Sequence, residues 1–322
     1  MHIVYCEEEA SSKALIAKWK DCIVYLNVEF GMDQENLLEL PTLKSIYMPS
    51  HIDLQNAIPF LKANHSHITH LDIDLKDSDI FSDIDFELPC LQSLILYLES
   101  SQSFDLSPIL AIARGITCLE ITAEETVESV ESLDDLLQVC AENLEHLVLK
   151  FECDLPMQLN CCAPKLDHLS LFLNNCEHGQ LQLIEYGKRA TTCQFNCTPV
   201  ANFDPRYHTL PNVKHLVIYG MDIDRYHKII GDKLETLEAK VFEKEDLKMF
   251  KTEKFSKLET FLFINECLRA DSVQEGLHYV QNILQSCENT LKRLIICSHF
   301  LENCSELPVM RIRNLTDLYL DG

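Results

Sequence analysis

The sequence predicts an α/β fold, a right-handed βα solenoid with a parallel β-sheet along its concave face. Three observations predict it. A short frame with apolar residues at its first, fourth and sixth positions, as in Leu291, Leu294 and Ile296, returns along nearly the whole chain. Its successive starts lie 20 to 33 residues apart. A longer stretch is duplicated as well, since Gln138-Val-Cys140-Ala-Glu-Asn-Leu144 reappears as Gln285-Ser-Cys287-Glu-Asn-Thr-Leu291. Units of this length cannot bury an apolar face alone, so they stack around a shared core, joined by right-handed crossovers.

In chain order, residues 1–21 are expected to form an N-terminal helical cap, with Leu15, Ile16 and Trp19 on one side of a short helix over 11–20. A terminal repeat needs such a lid over its core. Residues 22–322 then form the solenoid, about 13 irregular repeats counted by their strand frames. The frames start at Ile23, Leu43, Ile68, Leu91, Ile116, Leu144 and Leu166, pass through a degenerate one at Ala190, Cys193 and Phe195, and resume at Val213, Leu234, Leu258, Leu291 and Leu315. Between frames the period turns helical, clearest in Val130, Leu133, Leu137 and Cys140 and again in Leu277, Val280, Leu284 and Cys287. Ser272 and Glu275 make a capping box for the second of these. Pro41, Pro89, Pro164 and Pro211 each stand two residues before a frame, where a fixed φ and a missing N–H end the preceding helix or turn.

Composition narrows the function. The net charge is −24, and residues 1–160 carry 8 Lys and Arg against 29 Asp and Glu, or −21 of it. That surface repels phosphate backbones and draws basic proteins over a screened distance of about 8–10 Å, so nucleic acid is not an expected partner. The 15 cysteines are scattered rather than framed, and Cys161, Cys162, Cys193 and Cys197 form no C-x-x-C pair. They read as reduced, buried, small apolar residues, which places the chain in the cytoplasm or nucleus. Asn64, Asn196, Asn303 and Asn314 then start N-x-Ser/Thr motifs without meaning for glycosylation. The acidic N-terminus does not suit a signal peptide, no apolar stretch reaches about 18 residues, and no membrane association is expected. No glycine-rich phosphate loop, G-x-S-x-G or H-E-x-x-H motif occurs, so neither an enzyme nor a cofactor or metal is expected.

The segments Leu137 to Leu149 and Leu284 to Ile296 both read Leu-x-x-Cys-x-x-x-Leu-x-x-Leu-x-Leu/Ile, and residues 40–46, 88–94 and 210–216 read Leu-Pro-x-Leu/Val-x-x-Leu/Ile. Over residues 22–320 the chain resembles the leucine-rich-repeat family, and more narrowly the repeat region of F-box/leucine-rich-repeat proteins. The resemblance implies a horseshoe-shaped solenoid and a substrate-recruiting arm of an SCF-type ubiquitin ligase. No F-box is visible, so a Skp-type adaptor is a partner only if an F-box lies outside this chain. The alternative is a stoichiometric inhibitor or sequestering scaffold for a basic intracellular protein, similar to the ribonuclease-inhibitor type.

Alternation locates the partner surface: the second and third residues of each frame point inward, so their flanking neighbours share the opposite, concave side. The expected protein-binding site is His146, Val148, Lys150, His168, Ser170, Phe172, His215, Val217 and Tyr219, with the small polar Thr192, Gln194 and Asn196 between. A histidine row at His70, His146, His168 and His215 runs beside an aromatic row at Tyr97, Phe172 and Tyr219. The second candidate is His70, Asp72, Asp74, Tyr97 and Glu120. His65, His67 and His70 look like a metal cluster, but strand alternation would send His67 and His70 to opposite faces. The lysines from Lys240 to Lys257, interleaved with acids, read as a solvated convex helix face.

Overall fold

The computed structural model describes residues 3–4, 18–27, 39–49, 54–75, 85–99, 103–123, 129–151, 163–173, 188–196, 210–219, 231–241, 255–265, 273–298 and 312–321. They belong to two compact units, Met1–Lys165 and Leu166–Gly322. Both are α/β, rich in parallel strands and poor in helix. This is a solenoid-like arrangement.

In the first unit, β1 (Ile3–Val4), β2 (Tyr25–Asn27), β3 (Ser45–Met48), β4 (His70–Leu75), β5 (Ser93–Leu98), β7 (Cys118–Ala123) and β9 (His146–Phe151) form a parallel sheet in chain order. β6 (Ser103–Asp105) and β8 (Ser129–Glu131) pair separately. Helix α1 (Leu54–Asn64) precedes β4 and α2 (Leu133–Cys140) precedes β9. In the second unit, β10 (His168–Leu173), β11 (Thr192–Asn196), β12 (His215–Tyr219), β13 (Thr236–Val241), β14 (Thr260–Asn265), β15 (Arg293–Ser298) and β16 (Asp317–Asp321) again pair in parallel and in chain order. Helix α3 (Val273–Ser286) lies between β14 and β15.

The frames set the register. Leu26, Ile46, Leu71, Leu94, Leu119 and Leu147 form one row in the first unit. Leu169, Cys193, Leu216, Leu237, Phe261 and Leu294 form the matching row in the second. All twelve are buried. The degenerate frame fills its places, with Ala190, Cys193 and Phe195 all inaccessible to solvent, and burial pushes the Cys193 thiol up, away from reactive thiolate. Burying a side chain the size of leucine contributes roughly 1.5–3 kcal/mol, so each strand stays only where a neighbour covers it. In β16, Leu318 and Leu320 continue the inner rows yet are exposed.

Within each unit, starts of successive described strands are tied to the repeat before by one carbonyl that accepts two successive N–H groups. Lys44 and Ser45 donate to Val24, Thr69 and His70 to Lys44, Gln92 and Ser93 to Thr69, and the pattern runs on to Thr316 and Asp317 on Lys292. Threonine hydroxyls reinforce it, Thr69 on Lys44 O (3.1 Å) and Thr316 on Lys292 O (3.0 Å). Pro41, Pro89 and Pro211 take the second position of turns closed by Leu43 N on Leu40 O, Leu91 N on Leu88 O and Val213 N on Leu210 O, where φ near −65° is wanted. Pro164 lies in a turn as well. At Gly231 a Cβ would come within 2.8 Å of the Pro211 carbonyl oxygen, so this close approach requires glycine.

The duplicated segment plays one role twice: Cys140 and Cys287 are buried, and their thiols donate to Leu136 O and Ile283 O at 3.1 Å. Elsewhere the structure differs from expectation. Val130 lies in β8 rather than in the helix, because Ser132 adopts φ 59° and breaks the chain direction before α2 begins. Helix α1 was hidden by Pro59 within it, and the two-residue β1 is too short for a frame. Trp19 is 47% exposed rather than folded over the core, while Leu15, Ile16, Leu277, Ser272 and Glu275 lie outside the described side chains. Asn64, far from being an exposed sugar acceptor, is buried, its Oδ1 accepting from Leu40 N (2.7 Å) and its Nδ2 donating to Phe60 O (3.0 Å).

Candidate interaction surface

On the strands whose frame residues are buried, the alternate residues occupy the other side of the sheet, and register lines them into rows. In the first unit the rows are Tyr25, Ser45, His70, Ser93, Cys118 and His146; then Asn27, Tyr47, Asp72, Ile95, Glu120 and Val148; then Asp74, Tyr97, Thr122 and Lys150. The second candidate set is therefore contiguous, with Asp74 opposite Tyr97 and Ile95 between Asp72 and Glu120. Lys150, expected in the first set, joins this one: its Nζ donates to Glu120 Oε1. His146 and Val148 stand beside Cys118 and Glu120.

One tyrosine holds one of these carboxylates. The Tyr47 hydroxyl donates to Asp74 Oδ2 at 2.7 Å. Burial, then the charge of Asp72, raises the Tyr25 phenol. Tyr47 is raised by burial, by its bond to Asp74 and by the charges of Asp74, Asp72 and Glu99, and Tyr97 by burial and by Asp72, Glu120 and Asp74. Asp72 itself is pushed up to about 6, first by desolvation and then by Asp74 and Glu120. Its Oδ1 and the Thr122 Oγ1 are shut from water without a hydrogen-bond partner. The first two frames obey the same alternation rule as the rest, so Tyr25 and Tyr47, absent from both predicted sets, could have been found with it.

In the second unit His168, Ser170 and Phe172 on β10 are separated from His215, Val217 and Tyr219 on β12 by Thr192, Gln194 and Asn196 on β11. His168 and His215 thus stand two strands apart, roughly 9–10 Å, too far for the imidazoles to act as a pair. Ser170, expected on the exposed side, is buried, and in register it stands opposite Gln194. Phe172 and Val217 are half-buried. On β13 the same rows carry Glu238 and Lys240, and beyond them apolar residues return at Leu262, Ile264, Ile295 and Tyr319, which is 55% exposed. The frames at Leu258, Leu291 and Leu315 carried that signal. The side chain of Tyr219 lies outside the described residues.

His65 to His67 form the turn after α1, not the start of a strand, and the Thr69 hydroxyl meets His70 Nδ1 at 2.8 Å. Among the described residues no group of three His, Cys, Asp or Glu side chains is placed to hold a metal. Lys240 lies on β13 and Lys257 in the turn before β14, not on a helix face, while Lys244, Lys248, Lys251 and Lys254 are outside the described residues. No described helix is long and apolar enough to cross a membrane. Compared with protein-family models and with curated proteins, the chain gives no significant match to either.

Proposed function

We propose that this chain is a non-catalytic protein-recognition module of the leucine-rich-repeat type that binds through the outward face of its strands. One observation carries the reading: Phe172, Val217, Leu262, Ile264, Ile295 and Tyr319 place apolar and aromatic surface on the outward side of one parallel sheet. These side chains are half-buried, Tyr319 exposed, and interrupted on β13 by Glu238 and Lys240; apolar residues set among polar ones on a strand face are what a protein partner covers. The likeness of the repeats to F-box/leucine-rich-repeat proteins supports a substrate-recruiting arm of an SCF-type ubiquitin ligase, with a Skp-type adaptor reached through an F-box outside these residues.

The test is partner recovery from cell extract with the intact chain, with Leu262→Glu/Ile295→Glu, and with Gln285→Glu on the exposed side of α3 as control, folding being checked by circular dichroism. Partners are expected with the intact chain and the control and lost with the double variant. An unchanged partner set in the folded double variant overturns the reading.

A further inference from the structure

Asp72 lies under cover on β4: its Oδ1 is shut from water and has no hydrogen-bond partner. Its register neighbours are Tyr47 on β3 and Ile95 on β5, both half-buried. The surrounding charges make ionisation there harder still. Asp74 stands two residues on along the same strand, and Glu120 on β7 lies in the same row as Asp72. Tyr25 on β2, Tyr97 and Glu99 at β5, Cys118 on β7, Lys150 on β9 and His70 on β4 itself complete the ionisable groups of this face. The donors among them are engaged elsewhere. The Tyr47 hydroxyl is given to Asp74, the Lys150 ammonium to Glu120, and His70 Nδ1 lies 2.8 Å from the Thr69 hydroxyl.

A neutral carboxyl loses little by leaving one oxygen unbonded, whereas a carboxylate in the same place loses the hydration of a full charge. Covering Asp72 and ionising it are therefore in conflict. We infer that the strand face of the first unit is a proton-operated cover, closed over Asp72 while that carboxyl holds its proton and parted locally when it ionises, so that water reaches Oδ1. The side chains that part are Tyr47 and Ile95, which flank Asp72 in its row. The proton leaves to water, and no covalent bond besides that O–H is broken. This device does not depend on what the face binds, so its failure and that of the recognition reading are separate events.

The experiment is hydroxyl-radical footprinting of the full chain between pH 4.5 and 7.5, read side chain by side chain in a mass spectrometer. Between pH 5 and 7.5 linkage moves the balance of covered and parted forms by about tenfold, for an aspartate near 3.9 when parted and about 6 when covered. Tyr47 and Ile95 are expected to oxidise about twofold faster or more at the higher pH, with Phe172 and Leu262 of the second unit unchanged. Asp72→Asn is neutral throughout and is expected to remove the pH dependence. Asp74→Asn takes away a neighbouring charge that opposes ionisation and is expected to move the midpoint to lower pH. His70→Gln removes an imidazole, a group that titrates in the same range, and is expected to leave the transition in place. Rates at Tyr47 and Ile95 that do not change with pH in the intact chain would overturn the inference. So would a transition that survives in Asp72→Asn, vanishes in His70→Gln, stays fixed in Asp74→Asn, or appears equally at Phe172 and Leu262.

Discussion

Asp72 and Asp105 are both carboxylates on strands of the first unit, yet folding treats them oppositely. Asp72 faces His70 and Asp74 on its own strand, Tyr47 and Tyr25 on one side, and Tyr97, Glu120 and more distantly Glu99 and Lys150 on the other; desolvation and its acidic neighbours push it up to about 6. An unfolded aspartate titrates near 3.9, so the folded chain binds the extra proton between about pH 4 and 6, and stability falls as pH rises through that window. The cost is fully present above it. Asp72→Asn is therefore expected to raise the thermal midpoint at pH 7.5 and to change it little at pH 4, read by thermal unfolding at the two pH values. A gain of equal size at both would place its cause outside the ionisation of Asp72. That Asp72, Asp74 and Glu120 share a face follows from alternation in the sequence; that one oxygen of Asp72 is orphaned depends on the depth of its neighbours, which no spacing encodes.

At the level of elements, Asp105 ties β6 to the residue that opens α2. Its Oδ1 accepts from Ser107 N (2.8 Å) and the Ser132 hydroxyl (3.0 Å), and its Oδ2 from the Ser107 hydroxyl (2.6 Å). The bonds from Ser107 are the main cause of a carboxyl held below its ordinary range. The stabilisation is thus present above about pH 4 and disappears as pH falls through the lowered value. Asp105→Ala is expected to cost about 1 kcal/mol in urea unfolding at pH 7, and the cost is expected to shrink as pH falls through the lowered value. The same element shows where sequence reading stops. Leu133, Leu137 and Cys140 are buried on α2 as their spacing predicts. Val130 fits that spacing by accident, because periodicity cannot see that Ser132 turns left-handed, and β8 exists only because Phe104 and Val130 meet in a pairing 26 residues apart.

At the scale of the molecule, the strand frames were legible because the core imposes one requirement on every repeat. Even Cys193 and Phe195, the weakest match to the frame, are buried in their rows. The outward rows are under no such common requirement, which is why the burial of Ser170 could not be read from its position in the frame. Leu169→Ala is expected to cost about 2–5 kcal/mol by opening a cavity beside Cys193 in the buried row, whereas Leu318→Ala, at an exposed place in the same row, is expected to cost under about 1 kcal/mol; urea unfolding measures both. Similar losses from the two would mean that the row does not share a core. The two-donor carbonyl at each strand start carries a further consequence. It is made alike whether the tied residues are 20 apart, as Val24 and Lys44 are, or 33 apart, as Glu259 and Lys292 are. The stacking of strands is thereby uncoupled from the length of chain between them, and such a molecule can lengthen or shorten a connection, by insertion or deletion, without shifting the rows of side chains on the strand face.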